Sequence, residues 1–183
     1  EIHRATILSS IATNYQKMSD YPKADSVFKL ALKHNENSEN DSLDALIYNN
    51  YGLSRSDQHD YQGAIQLYMK AIQISDSLGY KEMTVNTIVN VGVIYYYQGD
   101  LRNALNYHLK ALELFEEYET EPQPKYATTL RNTGAFYSLY QKRDSAKYYT
   151  YKAVEMSKEL GDKRGLAVCY QNLGEIVSYD DMK

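Results

Sequence analysis

The sequence is poor in the features that mark several other classes of protein. Its single cysteine, Cys169, excludes an intramolecular disulfide and a cysteine-based zinc cluster. No apolar run approaches the roughly 18 residues of a membrane-spanning helix. A net charge of −4 provides no basic field for nucleic acid or anionic lipid. We therefore expect neither nucleic acid nor a membrane as a partner of this segment.

Proline and tryptophan are also scarce, whereas tyrosine is abundant. The three prolines among 183 residues are compatible with long helices, because proline interrupts the hydrogen bonds of a helix interior. With no Trp, 3 Phe and 20 Tyr, tyrosine supplies most of the large aromatic surface, and its hydroxyls need water or a partner.

A pattern of small residues recurs along the chain at nearly constant spacing. The tripeptide Asn-x-Gly occurs four times, at separations of 40, 42 and 40 residues, and a weaker copy, Ser10-Ile11-Ala12, lies 40 residues upstream. Alanines follow the small residues of the first four copies at fixed distances: Ala24, Ala64, Ala104 and Ala146, then Ala31, Ala71, Ala111 and Ala153. Such a grid indicates an internal repeat.

The apolar periodicity predicts about nine helices and no strand. They are expected near residues 3–19, 21–34, 43–58, 60–77, 81–98, 100–118, 125–141, 143–160 and 163–179. In the first helix, the spacing of Ile7, Leu8, Ile11, Ala12 and Tyr15 predicts one buried face. Residues 119–124, with two of the prolines, are expected to form the longest loop.

The recurring glycines have a physical cause. Glycine inside a helix costs roughly 1 kcal/mol relative to alanine, so its repetition indicates close approach of the paired helix at Ala64, Ala104 and Ala146. Because a single helix pair cannot cover its apolar faces, the repeats must stack. The predicted fold is all-α, an α-α superhelix of about nine antiparallel helices. It forms one array over residues 1–183, with repeats at about 3–40, 41–80, 81–122 and 123–162 and a half repeat at 163–183.

This pattern resembles the tetratricopeptide repeat. Gly92-x2-Tyr95, Gly99-Asp100-Leu101, Ala104 and Ala111 match it most completely, and Tyr21-Pro22-x-Ala24-x3-Phe28-x2-Ala31 matches its second-helix half. The period of about 40 is similar to that of the long repeats in kinesin light chains and in peptide-sensing bacterial regulators. His108 and Thr150 depart from the usual aromatic of the second helix, and Arg55 departs from the tyrosine of the first.

The recurring asparagines are the candidate binding residues. Each lies two residues before its glycine, so it points roughly 200° away from the face that touches the paired helix. That direction is the concave wall of a solenoid or the seam with a neighbouring first helix. A primary amide can bind an extended peptide backbone without reading its sequence, and the resemblance implies this role for Asn50, Asn90, Asn132 and Asn172. The alternative is that the amides bond to neighbouring helices and hold their register.

The remaining candidate groove residues follow the same stripe by helical steps of three and four. They are Leu53, Asn86, Val93, Tyr97, Arg131 and Gln171. Arg131 is the one cation available for the clamp that some such repeats use on a C-terminal carboxylate, so we do not expect that mode. In the run of three tyrosines, Tyr95 is expected in the core, and Tyr96 and Tyr97 toward the groove.

The sequence contains no recognisable catalytic or metal-binding set. The four histidines are scattered without metal-ligand spacing, and His108, on an inward face, is expected to be a hydrogen-bonded core residue. The recurring glycines lie within or just beyond helices, so none forms a phosphate-binding loop. We expect no catalytic residue, no metal site, no cofactor and no enzymatic activity.

The sequence therefore predicts a non-catalytic scaffold that binds a protein or an extended peptide. The alternative is a sensor or oligomerisation module of a larger signalling or transcriptional regulator, such as a bacterial one. The chain opens with Glu1 and stops where a fifth second helix is expected, so we expect an excised piece. Apolar Ile176, Val177 and Tyr179 then predict pairing of the last helix, with another copy as one partner.

The sequence does not identify the compartment of the protein. Cytoplasm is the expectation, and a periplasmic or other extracytoplasmic location is the alternative.

Overall fold

The computed structural model describes residues 2–36, 40–118 and 123–178. Within these ranges the backbone forms nine helices and no strand. The helices are α1 (Ile2–Lys17), α2 (Tyr21–Glu36), α3 (Asp41–Asp57), α4 (Tyr61–Ser77), α5 (Lys81–Tyr97), α6 (Leu101–Glu117), α7 (Pro124–Leu139), α8 (Arg143–Glu159) and α9 (Lys163–Ser178). The predicted all-α fold is confirmed, and each helix lies within a few residues of its predicted range. None of the described helices is both long and apolar enough to cross a membrane.

The helix ends follow from local chemistry. The carboxylates of Asp60 and Asp100 accept backbone hydrogen bonds at the starts of α4 and α6, which supplies partners for otherwise unpaired N–H groups. Gly79 and Gly161 adopt positive φ angles of 70° and 66° just beyond α4 and α8, a conformation that side chains disfavour. Pro124 is the first residue of α7 rather than part of the preceding loop, because proline suits the first turn of a helix. Residues 119–122 of that loop lie outside the described ranges.

The chain divides into two compact units, Glu1–Gln98 and Gly99–Lys183, which we call unit 1 and unit 2. In unit 1, α1 packs against α2 and α3 against α4, and α5 packs against α4. One hydrophobic cluster joins the first three helices; its buried members are Ala5, Ala12, Ala24, Phe28, Ala31, Leu43, Ile47 and Tyr51. Phe28 and Tyr51 stack with ring centroids 5.1 Å apart, which ties α2 to α3.

Unit 2 repeats the plan with α6 to α9. Helix α7 packs against α8, and α6 and α9 flank this pair. The buried cluster contains Leu112, Leu130, Ala153, Val154, Cys169 and Leu173, so it takes residues from all four helices. The division of the whole chain into repeats stays a prediction.

The prediction for the buried face of α1 was wrong at two positions. Ile7 and Ile11 are 59% and 39% exposed, whereas Ile47 and Tyr51, which occupy the same repeat positions in α3, are buried. The difference arises because α2 packs against α3 on that side, and no described helix precedes α1. Leu8 and Tyr15 pack partly buried against the unit 1 core, as predicted.

The recurring glycines of α3 and α7 lie at close helix contacts. A Cβ atom on Gly52 would come within 2.8 Å of ring carbons of Tyr68 in α4. A Cβ on Gly134 would lie 3.2 Å from the backbone nitrogen of Thr150 and 3.3 Å from the carbonyl oxygen of Ala146, both in α8. Gly174 in α9 has no neighbour within 4 Å of that point. The predicted contact is therefore found at Gly134, which meets Ala146, whereas Gly52 meets the ring of Tyr68 rather than the predicted Ala64.

This contrast predicts effects of opposite sign for two glycine-to-alanine substitutions. Gly134→Ala should destabilise the chain by about 1–3 kcal/mol, because the backbone of α8 cannot move away without disturbing its packing. Gly174→Ala, the matched control, should stabilise it by up to about 1 kcal/mol, because alanine has the higher helix propensity and the site is open. Urea unfolding of both variants measures the two changes. Equal changes of the same sign would contradict the close-contact explanation.

Candidate functional site

In unit 1 the predicted amide stripe forms contacts between α3 and α5. The Oδ1 atom of Asn49 lies 3.2 Å from Thr87 Oγ1, whose hydroxyl proton is shared with the carbonyl oxygen of Met83 at 2.8 Å, and accepts a long hydrogen bond from Asn90 Nδ2 at 3.5 Å. Within α3, Asn50 accepts from Asn49 Nδ2 at 3.3 Å. Three polar side chains, Asn49, Thr87 and Asn90, thus connect two first helices, an arrangement that fits a role in helix register.

Asn86 lies one helical turn before Asn90 in the same stripe. Its Oδ1 atom is buried and has no hydrogen-bond partner among the described residues. A buried acceptor without a donor costs on the order of 1–3 kcal/mol, and it normally finds water or another donor. Asn86 therefore retains hydrogen-bonding capacity that the register contacts do not use.

The apolar part of the stripe in unit 1 is exposed to solvent. Leu53 and Tyr97 are 44% and 59% exposed, and Val93 is half-buried. The ring of Tyr97 stacks on that of Tyr61 in α4, with centroids 6.2 Å apart and planes 18° apart. Tyr96 is exposed as well, at 48%, whereas Tyr95, which was expected in the core, is only half-buried. The stripe therefore offers apolar contact area beside its amides.

In unit 2 the asparagines of the stripe differ from those of unit 1 in their hydrogen bonding. Asn132 in α7 and Asn172 in α9 are half-buried, and within the described part of the chain neither amide forms a hydrogen bond. The two helices contact each other. Each side chain therefore presents two donors and one acceptor that remain available to a ligand or to water.

The other two candidates of unit 2 flank these amides. Arg131 reaches toward the start of α9, where its Nη1 atom lies 3.1 Å from the point that a Cβ on Gly165 would occupy. It also donates a long hydrogen bond of 3.5 Å to Thr128 Oγ1. Gln171 is exposed and donates to Glu175 Oε1 at 3.2 Å, within its own helix. Arg131 thus has a helix-joining position that its place in the sequence did not reveal.

Three residues of this surface were missed by sequence reasoning. Asn49 and Thr87 form the α3–α5 hydrogen bonds, and Tyr61 supports Tyr97. Asn49 lies next to a predicted residue, but the adjacent position points about 100° away on an isolated helix. Only the packing of the two helices shows that it faces the neighbouring one.

His108 is a buried histidine in α6, as predicted. Its Nδ1 atom lies 2.9 Å from the carbonyl oxygen of Ala104, so this nitrogen carries the proton and donates. Its Nε2 atom is buried with no partner in the described residues, and the ring meets Phe136 edge-on at 5.1 Å. Burial lowers the pKa of His108, because the charged ring would lose its hydration, and this outweighs the hydrogen bond to Ala104. No group of three His, Cys, Asp or Glu side chains in the described ranges could hold a metal ion.

The buried histidine predicts loss of stability in mild acid. A histidine of the unfolded chain titrates near pH 6.5, while that of the folded chain has a lower pKa. As the pH falls below about 6.5, only the unfolded state gains this proton, so the free energy of unfolding decreases until the pH passes the folded pKa. The decrease is about 1.4 kcal/mol for each pH unit between the two pKa values.

The matched variant is His108→Phe, because Phe28 and Tyr68 occupy the same repeat position in α2 and α4. Unfolding in urea between pH 7.5 and 5.5 should show a smaller loss of stability for His108→Phe than for the parent chain. Parallel pH profiles of the two proteins would contradict an uncharged, buried His108.

Comparison with protein families gives a match over most of the chain. The model described as tetratricopeptide repeat matches residues 3–77 and 83–159. No curated protein sequence matches the chain significantly.

Several solved structures share the fold at low sequence identity. Aspartyl phosphate phosphatase F from Bacillus subtilis is 18% identical with a TM-score of 0.87, and the match covers 99% of this chain and 47% of the phosphatase. A signal transduction ATPase with numerous domains and a tetratricopeptide repeat sensor, from Pyrococcus horikoshii, is 17% identical with a TM-score of 0.81 over 92% of this chain. This chain spans 26% of that ATPase.

Repeats of the kinesin light chain type are also similar. The tetratricopeptide-like repeats of a kinesin light chain from Podospora anserina are 12% identical with a TM-score of 0.73, and the match covers 99% of this chain and 92% of theirs. The likeness to long repeats of this type is therefore confirmed. At these identities the comparison establishes the fold.

Proposed function

The chain belongs to the tetratricopeptide repeat family, and we propose that it is a non-catalytic module that binds an extended peptide or protein segment. The ligand lies along the stripe of first-helix residues, in the concave groove that such an array forms. The stripe residues hold the backbone of the ligand by amide hydrogen bonds, and the neighbouring apolar side chains contact its side chains. No reaction is assigned to the array.

The observation that carries this proposal is the state of the amides in unit 2. Asn132 and Asn172 lie on contacting helices, and neither amide forms a hydrogen bond with another of the described residues. An extended peptide exposes N–H and C=O groups alternately, so a side-chain amide can donate and accept along it. Binding through the peptide backbone would be tolerant of ligand sequence.

The proposal also separates the two roles that the sequence left open. The amides of Asn49 and Asn90 in unit 1 bond to each other, which supports a register function there. The amides of unit 2 have no such bond, which supports a ligand function there. The two roles can therefore coexist in one stripe, and substitutions in the two units should differ in effect.

A peptide selected from a random display library against the whole chain provides the probe. Asn132→Ala together with Asn172→Ala should weaken its binding by about tenfold or more, since each lost amide contact contributes about 0.5–1.5 kcal/mol. The melting temperature should remain nearly unchanged, because no internal hydrogen bond is removed. Isothermal titration and thermal unfolding measure the two quantities on the same samples.

Asn49→Ala serves as the control for the register function. It should lower the melting temperature, because it removes the acceptor shared by Thr87 and Asn90, and affinity of the folded fraction should be retained. The peptide-binding proposal fails if no library peptide binds. It also fails if the unit 2 double variant loses stability while its affinity stays unchanged.

A sensor or oligomerisation module of a larger regulator is the second candidate function. The repeat sensor of the ATPase from Pyrococcus horikoshii favours it by analogy of fold. The packing of α9 favours it by observation. Tyr170 and Val177 lie on the same face of α9 as Gly174, and their side chains are 54% and 45% exposed. Leu130, which occupies in α7 the repeat position that Tyr170 occupies in α9, is buried. Ile176 is buried, contrary to the expectation of an exposed apolar strip through this residue, and Tyr179 lies outside the described ranges.

We propose that a second copy covers this face of α9 in an antiparallel, two-fold symmetric pair. In such a pair the same exposed residues, Tyr170 and Val177, lie on both sides of the contact. Sedimentation velocity over a concentration series should show a dimer that Tyr170→Lys converts to a monomer. Val168→Lys is the control, because Val168 lies on another face of the same helix. A parent chain that is monomeric at all concentrations would contradict the pairing.

A further inference from the structure

A small cleft opens within unit 2 between the start of α6 and the end of α7. Its volume is about 290 Å³. It is lined by Arg102, Leu105 and Asn106 of α6, by Tyr137 and Tyr140 at the end of α7, and by Lys142 in the turn that leads to α8. Pockets for drug-sized ligands have volumes of roughly 300–1,000 Å³. The cleft is therefore suited to one side chain or to a fragment of similar size.

The equivalent place in unit 1, between α2 and α3, is filled by ion pairs. Arg55, at the position of Tyr137, contacts Asp25 at 2.9 Å and Asp60 at 3.3 Å. Gln58, at the position of Tyr140, donates to Asp25 at 3.3 Å. In unit 2 the Asp25 position is Leu105 and the Asp60 position is Lys142. The place between a second helix and the next first helix thus holds paired charges in unit 1 and an open cleft in unit 2.

The open cleft carries two cations that have no counterion among the described residues. Lys142 replaces the helix-capping aspartate found at Asp60 and Asp100, and its side chain caps no helix. Neither Arg102 nor Lys142 forms an ion pair within the described residues. Asp144, the carboxylate nearest to Lys142 in sequence, is not paired with it either. The charges facing the cleft are therefore positive and available.

The walls of the cleft are apolar and aromatic, and one of them is braced. Tyr137 stacks on Tyr149 of α8 with ring centroids 5.4 Å apart and planes 7° apart, which holds its ring in place. Leu105 is half-buried, and Tyr140 is 41% exposed. An apolar stem can lie against these groups, while the guanidinium and ammonium groups reach an anionic end.

We propose that this cleft is a subsite for an anionic side chain of the bound peptide, a carboxylate or a phosphate on an apolar or aromatic stem. Arg102 and Lys142 pair with the anion, and Leu105, Tyr137 and Tyr140 contact the stem. This inference rests on the proposed function and specifies its ligand: the amide stripe binds the backbone without sequence preference, and the cleft selects a negatively charged residue.

Small probes test the cleft independently of any peptide. The probes are 3-phenylpropionate for a carboxylate, phenyl phosphate for a phosphate and 3-phenylpropionamide as the neutral match. Titration of the isotope-labelled chain should give saturable amide shifts around the lining residues for both anions, with dissociation constants on the order of 1–10 mM. The neutral amide should bind at least about fivefold more weakly.

The decisive variant is Lys142→Asp, which restores the aspartate found at this position in three other repeats and should therefore fold. It should weaken binding of both anions by about fivefold or more, and Arg102→Gln should do the same. Lys163→Glu is the control, since it changes the net charge by the same amount at the exposed start of α9. A phosphate preference of about tenfold would assign a phosphorylated residue, and comparable affinities would assign aspartate or glutamate.

Three results would overturn the subsite: no saturable shift, equal binding of the neutral amide, or full anion binding by Lys142→Asp. Failure of the amide stripe has a different signature. If the stripe does not bind peptides, the library selection fails while the two anionic fragments still bind the cleft. If only the subsite is wrong, selected peptides bind and show no preference for acidic residues.

Discussion

Close approach of paired helices is the constraint on which the rest of this structure depends. In α7 the absence of a side chain at Gly134 lets the backbone of α8 come within 3.2–3.3 Å of the point where a Cβ would lie. In α3 the same absence makes room for the ring of Tyr68. This contact fixes which face of each helix is turned toward its partner, so the opposite stripe, with its asparagines, is left for other uses. The proposed binding residues are thus positioned by residues that they do not touch.

A repeated backbone permits different chemistry at equivalent places. The gap between a second helix and the next first helix holds an Arg55–Asp25 ion pair in unit 1 and an open, cationic cleft in unit 2. Where α4 meets α5, Tyr61 stacks on Tyr97. The helix packing needs only the small residues and the core, so the surface of each gap can change without loss of the fold. Specificity in such an array can therefore reside in one repeat.

The asparagines of the stripe also differ between the two units, although the repeated backbone is the same. Asn90 forms a polar contact with Asn49 between first helices, while Asn132 and Asn172 form no hydrogen bond with the residues that the structure describes. Asn90, Asn132 and Asn172 occupy the same repeat position and differ because their neighbours differ: Asn49 supplies a partner in unit 1. The repeat position of an asparagine therefore does not by itself define its role.

The sequence alone determined the all-α fold, the helix bounds to within a few residues and the close helix contact of Gly134 at Ala146. These features depend on periodicity and residue size, which are local and repeat along the chain. It also identified His108 as a core residue. The tertiary structure decided what depends on neighbours distant in sequence: the exposure of Ile7 and Ile11, the partners of each asparagine and the unpaired cations of the cleft. Whether a polar side chain is satisfied depends on what the adjacent helix presents, and that becomes known only when the helices are packed.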